Sequence, residues 1–320
     1  MKRAFLVWII NLCCLWCSAA QTLSPRCRVL LDSLIVRFDS LDVYESRKLA
    51  RIQAKKAACA RLEGRERMDA WLDVAYEYSY FDSDSTIATL ERVAEMASDY
   101  SDKYMEIKTA VRTSRILTTL GYYKESSDVI DSIDRKSIPQ TLLYEYFEAH
   151  EFLCFELFHV DGSRLGFQNM YEAEYRAYTD SVILTAPAIS EYGLRSREKK
   201  ALAERDYDCA MQCNRKRMEL ASPGSIAESF VFYERNLIYE KMDGHDEERL
   251  YCLLRSAIDD LENSNQDVAA FTRLALMLKG SVDARILDKF SEYSYVTMLR
   301  FRSRTRRILG DGQTASAADS

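Results

Sequence analysis

The chain has 320 residues, 48% of them hydrophobic and 29% charged, which is enough for a sizeable core and too apolar for a disordered chain. Its formal net charge of −6 excludes a general binder of nucleic acid or anionic membrane, because neutralising phosphates requires a surplus of Lys and Arg. With only 4 prolines and 10 glycines, long helices run uninterrupted, and no stretch alternates apolar and polar residues long enough to suggest a sheet.

Residues 1–20 read as an export signal. Lys2 and Arg3 supply a positive start, and Ala4 to Cys17 is apolar except for Asn11. Ser18-Ala19-Ala20 then offers small residues where a signal peptidase cuts, which makes Gln21 the new N-terminus. The apolar stretch is shorter than the roughly 20 residues a bilayer span requires. The expectation is an exported, periplasmic protein. A lipoprotein and an uncleaved anchor are the alternatives, but Leu15-Trp16 lacks the small residues that precede a lipidated cysteine. Loss of Lys2 and Arg3 takes the basic residues from 44 to 42 against 50 acidic ones, a net charge of −8.

Residues 21–62 read as N-terminal helices. Arg26 to Asp39 carries an apolar stripe of Cys27, Leu30, Leu31, Leu34 and Phe38, and Tyr44 to Leu62 is a charge-rich, partly solvated helix. From 63 to 309 a single pattern recurs: an apolar-striped helix, a tight polar turn, a second helix. The turns centre on Asp82, Tyr122, Gly162, Asp206, His245 and Ser281, at steps of 40, 40, 44, 39 and 36 residues. That is the period of helical-hairpin solenoids, whose units bury their apolar faces only by stacking. The fold class is therefore all-α, a solenoid of about six antiparallel helix pairs. Ser181 to Gly193, with Pro187 and Gly193, is the expected irregular joint. Arg300, Arg302, Arg304, Arg306 and Arg307 give the last helix a basic end, favourable at a helix C-terminus. Contact with anionic headgroups beside a membrane is the alternative reading of this cluster. Residues 310–320 are small and polar, a disordered tail.

Candidate chemistry is sparse. His150-Glu151 opens like a zinc-protease helix motif, but Cys154 stands where the second histidine belongs. His159 and His245 have no partner set, and Cys209 and Cys213, four apart on one face, read as packing residues. The six cysteines that follow the signal are widely scattered, as buried free thiols are in a large helical core. No glycine-rich phosphate loop and no nucleophile elbow occur. No catalytic group, metal or cofactor is expected. The chain holds 20 tyrosines, dense at Tyr76, Tyr78, Tyr80, Tyr122, Tyr123, Tyr144 and Tyr146. They suit inter-helix packing with hydroxyls at the rim, or a ligand-facing subset.

At the turns, Gly121-Tyr122-Tyr123-Lys124-Glu125-Ser126, Asp206-Tyr207-Asp208-Cys209-Ala210 and Gly280-Ser281-Val282-Asp283-Ala284 resemble tetratricopeptide repeats, with Ala210 at the small position where the helices of a hairpin approach. Arg249 and Arg285 replace the usual alanine elsewhere. The resemblance implies that the first helix of each pair lines a concave groove. Arg115 lies six residues before Gly121 and Arg195 ten before Arg205, with Arg112 and Lys199 beside them. These four are the candidate partner-binding residues. Gathered in one groove of an acidic protein they would reverse the sign locally and favour carboxylate or phosphate groups. The alternative is that they pair with neighbouring glutamates on solvated helices.

Tyr78-Ser79-Tyr80-Phe81-Asp82-Ser83-Asp84-Ser85, Gly121 to Glu125 through Asp131-Ser132-Ile133-Asp134, Ala257-Ile258-Asp259-Asp260 and the stretch from Leu276 through Arg307 carry a more specific likeness. The mature chain resembles a regulator family common in Bacteroidetes, a domain of unknown function. The resemblance implies an exported tetratricopeptide sensor followed by a transmembrane helix, a coiled coil and a DNA-binding region. The helical pattern here stops near Leu309, so the expectation is the exported sensor region alone, without the transmembrane and DNA-binding parts. The expected function is a non-catalytic interaction or sensor module with a protein or peptide partner and no nucleic acid. A solute- or glycan-binding receptor component of a nutrient-uptake system is the alternative.

Overall fold

The computed structural model describes residues 23–160, 167–265 and 269–297. The export signal, the turn at Asp161-Gly162-Ser163, the Arg300–Arg307 cluster and the 310–320 tail lie outside them. Among the described residues the secondary structure is helical throughout, without a strand. In chain order the helices are α1 (Pro25–Phe38), α2 (Leu41–Cys59), α3 (Gly64–Tyr78), α4 (Ser83–Asp99), α5 (Lys103–Thr119), α6 (Tyr123–Asp131), α7 (Leu143–Val160), α8 (Gln168–Thr185), α9 (Glu191–Ala203), α10 (Tyr207–Leu220), α11 (Ile226–Lys241), α12 (Asp246–Glu262) and α13 (Ala269–Met277). A helix α14 follows at 284–297. No described helix is long and apolar enough to cross a membrane.

The pairs α3/α4, α5/α6, α7/α8, α9/α10, α11/α12 and α13/α14 are the six expected hairpins. The turns explain why the pattern recurs. Before α5, α6 and α10, one residue adopts a left-handed backbone: Ser101 (φ 52°), Gly121 (φ 83°) and Arg205 (φ 62°). The next amide then reaches back to a carbonyl of the last turn, as in Tyr122 N to Leu117 O at 2.9 Å, Asp206 N to Ala201 O at 2.8 Å and Asp102 N to Ala97 O at 2.8 Å. That closure satisfies carbonyls the helix end leaves free. Asp82, Asp102, Asp206 and Ser225 then cap the following helix by accepting from Ser85 N, Met105 N, Cys209 N and Glu228 N.

Within hairpins the small positions are filled as their role requires. Ala210 is fully buried. Ser126, at the same place two turns earlier, is also buried and exchanges hydrogen bonds with Ser114 and Thr118 at 2.9 and 2.7 Å. Arg249 and Arg285, at that place in later repeats, swing to the rim and pair with Glu240 and Asp283. The expected irregular joint is shorter than the sequence suggested. Helix α8 continues through Ser181 to Thr185, so the break shrinks to 186–190. Gly193 lies inside α9, where a Cβ would stand 2.6 Å from the Pro187 carbonyl oxygen.

The stack curves until its ends meet. Helix α1 packs on α12, from the far end of the chain. Cys27, Leu31 and Leu34 of α1 share one core with Leu250, Leu253, Leu254, Ala257, Ile258 and Leu261 of α12, Phe271 and Leu274 of α13, and Phe290 of α14. Helix α2 returns the chain to α3, where Lys48, Arg51 and Lys55 converge on Glu77 at 3.0–3.2 Å. On the inner side, Tyr80, in the turn of the first hairpin, meets Phe230 of α11, with ring centroids 5.3 Å apart. The result is a closed ring of helices.

Candidate functional site

The ring encloses a chamber of 1290 Å³. Its wall is built from α3, α4, α5, α7, α8, α9, α10 and α11. The aromatic residues on it are Tyr76, Tyr80, Phe152, Phe155, Tyr175, Tyr192, Phe230 and Tyr233, with Leu72, Ile116, Leu202 and Leu237 between them. Arg112, Arg115, Arg195 and Lys199 all line it, so the spacing argument brings its four residues to one site. The tyrosines divide: Tyr76 and Tyr80 face the chamber, whereas Tyr78 and Tyr146 are packed in cores.

The four cations are not free. Helix α7 is buried on nearly every side, yet carries Glu145, Glu148 and Glu151 along it. Arg112 pairs with Glu145 at 2.8 Å, Arg115 with Glu148 at 2.5 Å, and Lys199 with Glu151 at 3.1 Å. Arg195 bridges Glu234 of α11 at 2.8 Å and Glu148 at 3.9 Å. Thr179 donates to the other Glu151 oxygen at 2.9 Å. The ladder ends on Arg217 of α10, whose side chain is 1% exposed and which reaches Glu191, Glu198 and Glu234 at 2.6, 2.8 and 2.5 Å. Asn214 also donates to Glu198, and accepts from Arg235.

This corrects the expected surplus of positive charge. Five cations (Arg112, Arg115, Arg195, Lys199, Arg217) face six carboxylates (Glu145, Glu148, Glu151, Glu191, Glu198, Glu234). Nor are the partners on solvated faces: Glu145, Glu148, Glu151 and Glu198 are buried. The electrostatics follow from that. The charge of Glu234 raises the Arg195 pKa. Burial alone would lift the Glu234 carboxyl, but Arg195 and Arg217 hold it well below its ordinary value. Burial raises Glu198, and Arg217 does not fully offset it. Buried pairs of this kind add little net stability over apolar residues of the same volume, but removing one member strands the other charge.

The remaining candidates are packing groups. His150 is buried, stacked on Tyr178 at 4.7 Å, and burial lowers its pKa. His159 hydrogen-bonds the Phe155 carbonyl through Nδ1 at 2.8 Å, and His245 precedes α12. All six described cysteines are free, five of them buried. Burial pushes the thiols of Cys154 and Cys252 up to about 12 and that of Cys213 to about 11, far from a reactive thiolate. Sequence reasoning missed Arg217 and the α7 glutamates. The signal was present: carboxylates at 145, 148 and 151 recur at helical spacing on an otherwise apolar helix.

Stacked helical hairpins closing around a chamber define a tetratricopeptide-type interaction module, a class that typically acts by binding and not by catalysis. A family model described as the SusR N-terminal TPR domain matches residues 38–309, and the chain belongs to that family. The resemblance to the sensor region of a tetratricopeptide regulator family is thereby met. The match begins at the end of α1. No curated protein matches the chain.

Proposed function

We propose that the protein is an exported, non-catalytic sensor module that holds a protein or peptide partner in its central chamber, with Arg112, Arg115, Arg195 and Lys199 in the contact wall. The observation that carries this reading is the chamber itself: 1290 Å³, rimmed by aromatic rings and braced by ion pairs. Small-ligand pockets usually occupy about 300–1,000 Å³, so the space suits a peptide segment or another extended ligand. Because the cations are compensated, the partner gains most from the aromatic faces, and the charges orient polar groups without demanding an anion. Export rests on the N-terminal segment, and mass spectrometry of secreted protein is expected to find Gln21 first; an intact Met1 or a lipid on Cys17 would overturn it.

The second reading, a solute- or glycan-binding component, is favoured by one observation: Tyr76, Tyr80, Tyr175, Tyr192 and Phe230 line the chamber, and aromatic rings suit a neutral ligand. Both readings are tested by affinity capture from periplasmic extract, with captured proteins and small molecules identified by mass spectrometry. The comparison is with Tyr76→Ala, at a half-exposed ring, and with the paired replacement Arg112→Met and Glu145→Leu. Removing both members of a buried pair avoids the penalty of a stranded charge. Loss of one captured species in both variants identifies the partner. Equal recovery by all three proteins would remove the chamber from consideration.

A further inference from the structure

The ring is closed by a helix of which only the last residue, Phe38, falls within the matched family region. Helix α1 packs on α12, not on its neighbour α2, and is pinned at both ends. At its start, Arg26 reaches Glu247 at 2.6 Å and Glu248 at 3.7 Å and lies over the Tyr251 ring. At its end, Arg37 pairs with Glu262 at 2.5 Å, and Asp39 faces Lys289 of α14 at 3.9 Å. Phe38 sits among Phe271, Phe290 and Tyr293, at 5.8, 5.7 and 5.5 Å.

We propose that α1 is a clasp that couples the width of the chamber to the last hairpin. Helix α11 lines the chamber and pairs with α12; α1 covers α12; α2 leads from α1 to α3, which lines the opposite wall. Tyr80 and Phe230 mark where those two walls touch. Any occupant that parts them moves α3 away from α11, and the α1–α2 arm spans that same gap. Either α1 slides on α12 or it releases, and in both cases Phe38 shifts against Phe290 and Tyr293. A packed interface responds to such a load by switching between discrete arrangements, not by stretching. The bonds to be broken are of a kind that permits this. The Arg26 and Arg37 pairs are partly exposed, where such pairs contribute little each, so the clasp holds chiefly through its apolar face.

This inference rests on the chamber being the binding site, and its test does not require the partner. Amide hydrogen exchange is measured on the full chain and on two variants. In the first, Arg26→Glu with Arg37→Glu sets like charges against Glu247, Glu248 and Glu262 at partly exposed positions outside the apolar core. Exchange is expected to rise at least tenfold across 25–38 and, in the same protein, across 76–81 at the Tyr80 wall. Adding Glu247→Arg and Glu262→Arg is expected to restore both. In the second, Ala227→Trp places a ring in the chamber beside Phe230 as a built-in occupant, and exchange across 25–38 and 286–294 is expected to rise. A rise confined to 25–38 in the first variant would overturn the coupling. So would unchanged exchange in α1 in the second. Neither result bears on which partner the chamber captures, so the two readings fail separately.

Discussion

Phe38, the last residue of α1, stacks on Phe290 of α14 with centroids 5.7 Å apart and planes at 28°, joining segments separated by some 250 residues of chain. The contact makes the first described helix part of the core of the last hairpin. Terminal units of a solenoid lack a neighbour on one side and require a cap; here the cap comes from the opposite end. Phe38→Ala is expected to cost about 2–3 kcal/mol, below the usual range for a fully buried phenylalanine because the ring is only partly covered. Urea unfolding followed by helical circular dichroism measures it. A loss under about 0.5 kcal/mol would mean that α1 does not cap the array.

The convergence of Lys48, Arg51 and Lys55 on Glu77 gives a second expectation. The Lys48 side chain is 1% exposed, and its Nζ lies 3.0 Å from Glu77. Burial works to raise the Glu77 pKa, but the Arg51 hydrogen bond and the Lys48 charge take it from 4.5 down to about 2. A depressed carboxyl pKa contributes stability that is present above 4.5 and lost as the pH falls towards 2. Glu77→Gln strands Lys48 and is expected to cost about 3–5 kcal/mol at pH 7. Its stability should also fall less steeply than that of the wild type below pH 4.5. Parallel acid profiles for the two proteins would contradict this assignment.

The repeat turns give a third. Gly121 and Arg205 occupy the same place in two hairpins, both left-handed, at φ 83° and 62°. For an L-residue that conformation costs about 1–2 kcal/mol. No ion pair involves Arg205 among the described residues, so little is lost with its side chain. Arg205→Gly is expected to stabilise the protein by about 0.5–1 kcal/mol, and Gly121→Ala to destabilise it by about 1 kcal/mol although nothing stands within 4 Å of the added Cβ. Thermal denaturation of both variants would reveal the opposing signs. Shifts in the same direction would refute the equivalence of the two turns.

These turns also show why the hairpins were legible in the sequence and the ring was not. Capping residues, left-handed turn positions and small contact residues are local devices, and Asp206, Gly121 and Ala210 announce them within a few residues. The shared core of Leu31 and Leu254, or the contact of Tyr80 with Phe230, depends on curvature accumulated over the whole stack, which no window reports. The four basic candidates were found because helical spacing places them on one face. Pairing with glutamates was the alternative the sequence offered, and it holds, but not on solvated helices: Glu145, Glu148 and Glu151 come from another helix and are buried, which local spacing does not report. The break before α9 was overextended because Pro187 and Gly193 look like loop residues. Only the first is one; the second supplies the space in which α9 passes the Pro187 carbonyl.

Asp259 of α12 carries the last prediction. It is buried, one carboxylate oxygen has no hydrogen-bond partner among the described residues, and Arg255 approaches the other only to 3.8 Å while also facing Glu228 at 3.6 Å. Burial lifts its pKa from 3.8 to about 7 against the pull of Arg255, and Glu228 and Glu262 add to the rise. The protonated form is thus favoured by the fold. For a carboxyl raised in this way, the stabilising contribution is complete below 3.8 and is lost as the pH climbs to about 7, because the unfolded chain releases the proton first. Asp259→Asn keeps the shape and cannot ionise. Its advantage over the wild type should therefore be small near pH 4, grow through pH 5 and 6, and level off above pH 7 at on the order of 2 kcal/mol. Melting temperatures taken at unit steps of pH measure the difference directly. An asparagine variant that is less stable than the wild type at pH 8 would show that the ionised carboxylate is held by Arg255 after all, and would reverse the sign of the pH dependence at this end of α12.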